Sequence, residues 1–394
     1  MALDPVQLLA ELVTCPSSNP RHLPPSAEYP GEAGVVRILE RVLKGLGATV
    51  RIEPVLPGRD NLLATFAGRD PSRTLLLNAH ADTVPQDGMT IPPFTPAIRD
   101  GRLYGRGSCD TKGSMAAMIA ALARRIESGE GFPINVCFAA TCNEEAGADG
   151  AKALMRAHPG EFTAAIAGEP TGLEIIHVHK GALRFAIEAL GLPAHSSMPE
   201  RGASAILAMT EVIRWIEGPY RRELAGRTHP LVDAPRVSVG VIQGGTQVNI
   251  VADRCVIEID RRTIPGETEA SVQAEFEAIL EAVRGATDPR VAFSCRPTEE
   301  YAPLQEPADS PLGRLAGEAC RLVLGKAVFA AAPYATDAGI FNSLGLSAVV
   351  LGPGSVKQAH TQDEFIELAA VHQAVDVYAT LIGLSGRFLS KGAA

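Results

Sequence analysis

The chain has 394 residues, 46% hydrophobic and 21% charged, with 38 glycines and 29 prolines. At about 150 residues per domain this length suits two folded domains, and the composition excludes a disordered, collagen-like or coiled-coil chain. Lys plus Arg number 36 against 45 Asp plus Glu, a net charge of −9 without a basic stripe. That balance argues against nucleic-acid or anionic-membrane partners, whose binding rests on cations that neutralise phosphates.

The N-terminal stretch MALDPVQLLAELV carries Asp4 and Glu11 rather than the basic start of a secretory signal. The longest apolar stretch, Met115–Ala123, falls far short of the roughly 18 residues of a membrane span. A cytoplasmic chain is expected. Seven cysteines without a CxxC pair suggest neither a disulfide framework nor a cysteine zinc site.

In chain order, residues 31–47 space Val35, Leu39, Leu43 and Leu46 by three and four before Gly47, the pattern of an amphipathic helix. NLLATFA (61–67), RTLLLNA (73–79), INVCFAATC (134–142) and TAAIA (163–167) are apolar runs of strand length, and 113–127 reads as a helix. His177 and His179 alternate on an expected strand between modules. ALRFAIEAL (182–190) then places Leu183, Phe185, Ile187 and Ala189 opposite Arg184 and Glu188, as in a sheet with one solvated face. A helix (202–217), strands (236–242 and 247–260), a helix (268–285) and a strand (290–295) come next, and after Pro297 the first pattern returns, with VVL (349–351) as its last core strand. The expectation is an α/β fold. Residues 1–180 and 296–394 form a mixed sheet covered by helices, and 181–295 form an inserted α+β module.

Ligands of such sheets collect beyond strand ends, and five polar clusters are expected there. His80-Ala81-Asp82 follows LLLNA. Residues two apart on an extended chain point the same way, so His80 can bind a metal through one ring nitrogen while Asp82 accepts from the other or from a neighbour. The turn GRGSCDTKG (105–113) presents Asp110 just before a helix, where capping is the commoner role. Cys109 beside it has no partner cysteine and reads as packing, and the turn lacks phosphate-loop spacing. Glu144-Glu145 follows the 134–142 run, a costly place for adjacent carboxylates without a cation unless they open a solvated helix. Glu169 follows TAAIA, and His360 follows the glycine-rich segment LGPGSV.

Singly, these residues fit a strand-end histidine, a cap, solvated acids and a loop histidine. Together, His80, His360, Asp110, Glu144, Glu145 and Glu169 make a nitrogen and oxygen donor set suited to zinc or a related divalent ion. Two metals about 3.5–4 Å apart sharing a carboxylate and a water form a known hydrolytic device, with a leftover Glu as general base. His22, His158, His177, His179, His229 and His372 fit no ligand position.

HADTVP (80–85), GRGSCDTKG (105–113), CNEEAG (142–147), GEPT (168–171), GLPAHSSMPERGASAI (191–206) and DRRTIPGE (260–267) together resemble the zinc-dependent amidohydrolase family. That family contains acetylornithine deacetylase, succinyl-diaminopimelate desuccinylase, aminoacylase and glutamate carboxypeptidase. The resemblance runs in order over nearly the whole chain. It implies two zinc ions per chain, replaceable by cobalt or manganese, one on His80, Asp110 and Glu169 and the other on Asp110, Glu145 and His360. It further implies Asp82 beside the ligands, Glu144 as the base that activates a bridging water, and Asn249 and Arg262 as holders of the substrate carboxylate. His195 matches a lid histidine that stabilises the oxyanion in a partner subunit's site. The inserted module matches the family's lid, which pairs two subunits, so a homodimer is implied.

The reaction so implied is hydrolysis of an N-acyl-L-amino acid. GRGSCDTKG and LGPGSVKQAHTQDEF (351–365) are most similar to acetylornithine deacetylase members, which favours N-acetylornithine or a related N-acetyl amino acid. The alternatives within the family are desuccinylation of succinyl-diaminopimelate and dipeptidase or carboxypeptidase activity. A non-catalytic binding homologue is disfavoured, because a binding protein has no use for Glu144 as a base beside the metal.

Overall fold

A computed structural model describes residues 3–21 and 25–389; His22 lies outside them. The chain forms two compact units, one running to Val178 and including Leu304–Ala331 and the chain from Thr336 onward, the other His179–Pro303 with Ala332–Ala335.

Apolar runs without alternation give the first unit a sheet buried on both faces. Among the described residues it has nine strands. Across the sheet stand Thr49–Leu56, Arg59–Phe66, Ile134–Thr141, Asp70–His80, Ala164–Ala167, Ala348–Val350, Ile175–His179 and Leu304–Gln305, with Phe329–Ala332 paired to Ile175–His179. Asp70–His80 is parallel to both Ile134–Thr141 and Ala164–Ala167, and Ala348–Val350 is parallel to Ala164–Ala167. Four adjacent strands therefore end on the same side, and this sets where the site lies. A small antiparallel sheet joins Phe365–Glu367, Arg102–Tyr104 and Ala97–Arg99.

Helix Lys112–Glu127 buries every residue from Met115 to Ala123, as a helix enclosed on all sides must. It lies against Pro5–Thr14 and Leu368–Phe388. The latter is one helix long and apolar enough, by length and composition, to cross a membrane. Val371, Ala374, Val375, Tyr378 and Leu381 bury it in the first unit's core. A search for unbroken apolar runs misses it because His372, Gln373 and Asp376 interrupt the pattern.

The second unit has a four-stranded antiparallel sheet in the order Arg236–Gly244, Arg254–Thr263, Gly181–Leu190, Ala292–Tyr301. Its apolar face, with Leu183, Phe185, Ile187 and Ala189, shares a core with helices Ala205–Trp215 and Glu269–Val283. Ala292–Tyr301 keeps pairing past residue 295, up to Tyr301 opposite Ala182. The helix expected over 202–217 begins at Ala205, capped by Ser204, and passes at Ile216 into a π turn. Pro219 lies in that turn and has no N–H for a regular helical bond.

The strand expected over 247–260 begins only at Arg254. Gly245, with a φ of +71°, bends the chain away. Residues 249–251 pair instead with the loop after Gly181–Leu190: Ser196 N–H donates to Asn249 O at 2.9 Å and Val251 N–H to Ala194 O at 2.8 Å. His195 and Asn249 are thus displayed side by side on bridged loops, both exposed.

Candidate metal centre

His80 is the last residue of its strand, Glu144 and Glu145 lie in the 3₁₀ turn after Ile134–Thr141, and Glu169 follows Ala164–Ala167. His360 lies in the loop beyond Ala348–Val350, with a φ of 60°. Asp110 departs from the expected arrangement. It follows no core strand but arrives on the turn between Arg102–Tyr104 and Lys112–Glu127. Nor does it cap that helix, whose cap position is Thr111; its carboxylate is drawn instead to the two histidines.

Asp110 Oδ1 lies 3.1 Å from His80 Nε2, and Oδ2 lies 3.1 Å from His360 Nε2. Glu145 Oε1 is 3.1 Å from His360 Nε2, while Glu169 Oε1 and Glu144 Oε2 are 3.8 and 4.0 Å from His80 Nε2. Three groups place one donor atom each within 4.8 Å of the others: His80, Asp110 and Glu169; Asp110, Glu145 and His360; and His80, Glu144 and Glu145. Oxygen and imidazole donors without thiolates, most of them buried and His360 exposed, fit a divalent cation of the zinc type.

The charges give the same answer. Burial, with the neighbouring carboxylates, pushes Glu144 and Glu169 well above the usual carboxylate range, against the pull of His80. Burial also raises Glu145, against its hydrogen bond from His360. For Asp110 the hydrogen bonds from His360 and His80 outweigh burial and hold it low. His80 would be lowered by burial, yet Glu169, Asp110 and Glu144 drive it well upward, and His360, bonded to Asp110 and Glu145, is pushed up to about 11. Acid outnumbers base here, the electrostatic setting that favours a cation.

Of the two partners expected for the Asp82 carboxylate, the His80 ring or a neighbour, it takes the neighbours. His80 Nδ1 lies 2.9 Å from the Asp82 backbone oxygen and 3.7 Å from its carboxylate. The carboxylate instead accepts the Glu144 and Glu145 N–H groups at 3.1 and 3.0 Å, and Asn19 Nδ2 at 2.6 Å. It therefore holds the backbone of the turn that carries both glutamates.

Several buried residues of the site carried no sequence signal. Arg59 is forked onto Glu32 and donates to Asn143 Oδ1 at 2.7 Å; Glu32 accepts the Asn143 N–H at 3.0 Å, and Asn19 joins Asn143 to Asp82. Asp337 accepts from Thr141 Oγ1 at 2.7 Å, and burial lifts its carboxyl to about 6. Glu364 holds the Asp110 turn. No local motif marks Asn19, Glu32, Arg59 or Asp337; Glu364 stands four residues past His360 in a segment already singled out.

The other expected site residues belong to the second unit. His195 Nδ1 lies 2.8 Å from Ser197 Oγ and 3.2 Å from Ser197 N, so Ser197 holds that side of the ring. Arg262 sets its Nε–Nη2 edge on Asp260, at 2.7 and 3.2 Å. The remaining described histidines join no donor group: His177 and His179 face backbone oxygens of Glu306 and Lys180, and His158 lies between Glu53 and Glu161.

Residues 76–383 match the model of peptidase family M20/M25/M40. The chain is 32% identical to acetylornithine deacetylase of Proteus mirabilis (strain HI4320), covering 96% of this chain and 95% of that protein. The chain belongs to this peptidase family. It is a metal-dependent amidohydrolase. An M20 family metallo-carboxypeptidase from Sulfolobus solfataricus has the same fold, with a TM-score of 0.79 at 19% identity over 98% of this chain and 99% of that one. A Bacillus subtilis protein described as a dinuclear metal binding peptidase gives 0.72 at 17% identity, over 98% of each chain.

The proton balance generates a test. The surrounding carboxylates favour the protonated form of His80 and His360, whereas a metal-bound imidazole is neutral. Metal uptake by chelator-treated protein should therefore release protons, and affinity should rise with pH from about 6 to about 8. Zinc titrations in buffers of different ionisation enthalpy would measure this, and pH-independent uptake without proton release would contradict the charge assignment.

Proposed function

We propose that this enzyme hydrolyses the amide of an N-acetyl-L-amino acid, N-acetylornithine or a close relative, using two zinc ions. His80, Asp110 and Glu169 would hold one ion and Asp110, Glu145 and His360 the other. The observation that carries the reading is Asp110, whose two oxygens face His80 and His360 at equal 3.1 Å distances; a carboxylate so placed can bridge two cations. Such ions supply Lewis-acid polarisation of the carbonyl and ready deprotonation of water.

Glu144 is the general base in this reading. Its carboxyl is raised by burial and by its acidic neighbours, the direction required of a base working near neutral pH. It takes the proton from the attacking water and returns it to the leaving nitrogen. His195 would offer a ring N–H to the oxyanion from Nε2, the nitrogen that Ser197 leaves uncontacted. Arg262 keeps one guanidinium edge free of Asp260 for the substrate carboxylate, and Asn249 adds a hydrogen bond.

The second unit's register supports a two-chain site. Arg254 stands opposite Leu190 and Arg262 opposite Ala182, so Arg262 lies at the far end of the sheet from the His195 and Asn249 loops. Eight residues at about 3.3 Å each separate these ends by roughly 26 Å. One small substrate cannot touch both ends of one module, whereas two chains can supply one end each. Leu207 and Val248, 69% and 102% exposed, offer apolar surface for such pairing.

Glu144→Gln should lower kcat by at least about 10²–10⁴-fold with metal content near normal, while Glu145→Gln should weaken metal binding first. Elemental analysis beside kinetics decides this, and the reverse pattern would exchange the two roles.

Mixing inactive His195→Ala and Glu144→Gln chains should restore part of the activity, since one site of a mixed dimer receives both intact residues. No recovery after demonstrated subunit exchange would remove the two-chain site.

The 32% identity to the acetylornithine deacetylase of Proteus mirabilis supports an acetyl substrate. Under one metal condition, kcat/KM should be highest for N-acetylornithine among N-acetylornithine, N-succinyl-diaminopimelate, an acetylated apolar amino acid and a dipeptide. A succinyl substrate or dipeptide ahead by more than tenfold, about 1.4 kcal/mol of transition-state preference, would overturn the substrate and leave the hydrolytic centre standing.

A further inference from the structure

Glu364 is a buried carboxylate, 1% exposed, without a role in the chemistry above. Its Oε2 accepts from Arg106 Nη1 at 2.8 Å and Gly107 N–H at 2.9 Å, and its Oε1 accepts from Cys109 N–H at 2.9 Å and Asp110 N–H at 3.0 Å. Its backbone oxygen accepts the Gly105 N–H at 3.0 Å, and Arg106 Nη1 also reaches the Thr361 oxygen at 3.3 Å. One residue thus gathers nearly the whole turn that ends in Asp110.

Glu364 also follows His360 by four residues and precedes the strand Phe365–Glu367, which pairs with Arg102–Tyr104 at the entrance to that turn. The strand pairing aligns the two segments, and the carboxylate then fixes the last backbone atoms before Asp110. An apolar side chain could fill the space but would leave three buried N–H groups unanswered. An amide would set its own N–H group against donors on one side. Arg106 neutralises the carboxylate, so the device adds no net charge beside an already acidic centre.

We infer that Glu364 is a positioning residue that locks the Asp110 turn to the His360 segment, so that the donors shared by the Asp110–Glu145–His360 position are in place before any cation arrives. The inference rests on the two-cation reading above. It makes an asymmetric prediction: the position using both Asp110 and His360 depends on Glu364 through two donors, whereas His80 and Glu169 are fixed by core strands.

The test is calorimetric titration of chelator-treated wild-type and Glu364→Gln protein with zinc, alongside cobalt titration followed by visible absorption. The wild type should take up two equivalents. Glu364→Gln should bind one equivalent about 10–100-fold less tightly while the other changes by less than about threefold. Glu364→Asp keeps the charge but reaches only one pair of donors, so it should fall between them; it carries the comparison if the glutamine variant does not fold. In chelator-treated wild type the Gly107, Cys109 and Asp110 amides should remain as protected from hydrogen exchange as in the metal-loaded enzyme. Unchanged binding in the folded variants, equal weakening of both equivalents, or free exchange at those amides would each overturn the inference. Fewer than two equivalents in the wild type would instead sink the two-cation reading and the inference with it.

Discussion

Like charges crowded at the ends of parallel strands are the constraint around which the first unit is arranged. Asp82, Asp110, Glu144, Glu169 and Asp337 are all at most 9% exposed, and the histidines that answer them among the described residues are His80 and His360. Two unit charges about 4 Å apart interact by roughly 4 kcal/mol at the effective dielectric typical of protein sites. Several such repulsions would exceed the whole stability of an ordinary domain, about 5–15 kcal/mol. The sheet topology nevertheless forces proximity, because adjacent parallel strands end on one side. A cation would relieve the conflict, which the upward shifts of Glu144 and Glu169 register.

The turns that carry the donors are held by a recurring device. Glu32 accepts the Asn143 N–H and is neutralised by Arg59; Glu364 accepts the Cys109 and Asp110 N–H groups and is neutralised by Arg106. In both, a buried carboxylate does what a backbone carbonyl cannot, since it receives several N–H groups at once and stands outside any ladder. The paired arginine keeps the added charge from raising the local repulsion. Removing one member of such a buried pair costs about 3–5 kcal/mol, so each pair must be kept or lost as a unit. Asp82 is the exception. It accepts the N–H groups of Glu144 and Glu145 with Asn19, not arginine, as its side-chain donor, so its own charge adds to the crowded centre.

The sequence is most readable where one segment carries its own signal. Unbroken apolar runs mark the core strands, and His80, Glu144, Glu145 and Glu169 each stand within a few residues of the C-terminal end of such a run. Asp110 resists that rule because a separate turn delivers it from the side. The holding residues resist it for a different reason: Arg59 meets Asn143 across 84 positions and Glu364 meets Asp110 across 254, and no periodicity links such distances. Within the second unit the apolar letters of 247–252 imitate a strand, but a preceding glycine with positive φ and pairing to another loop decide otherwise. Local pattern prescribes a conformation only where tertiary partners agree with it.

His80, Glu144 and Glu169 sit buried beyond the strand ends, whereas His195 and Asn249, which the proposed function adds to them, stand exposed on loops. A charge-stabilising donor surrounded by water is screened, and it acts strongly only once solvent is excluded. In the proposed role His195 therefore requires cover to stabilise an oxyanion, and that requirement belongs to its exposure rather than to any particular substrate. Rigid strand ends suit the invariant demands of cleaving an amide, which are fixed charge and fixed distance. Exposed loops tolerate exchange of side chains at little cost to the core, so residues such as His195 and Asn249 can change while the donor set at the sheet stays as it is.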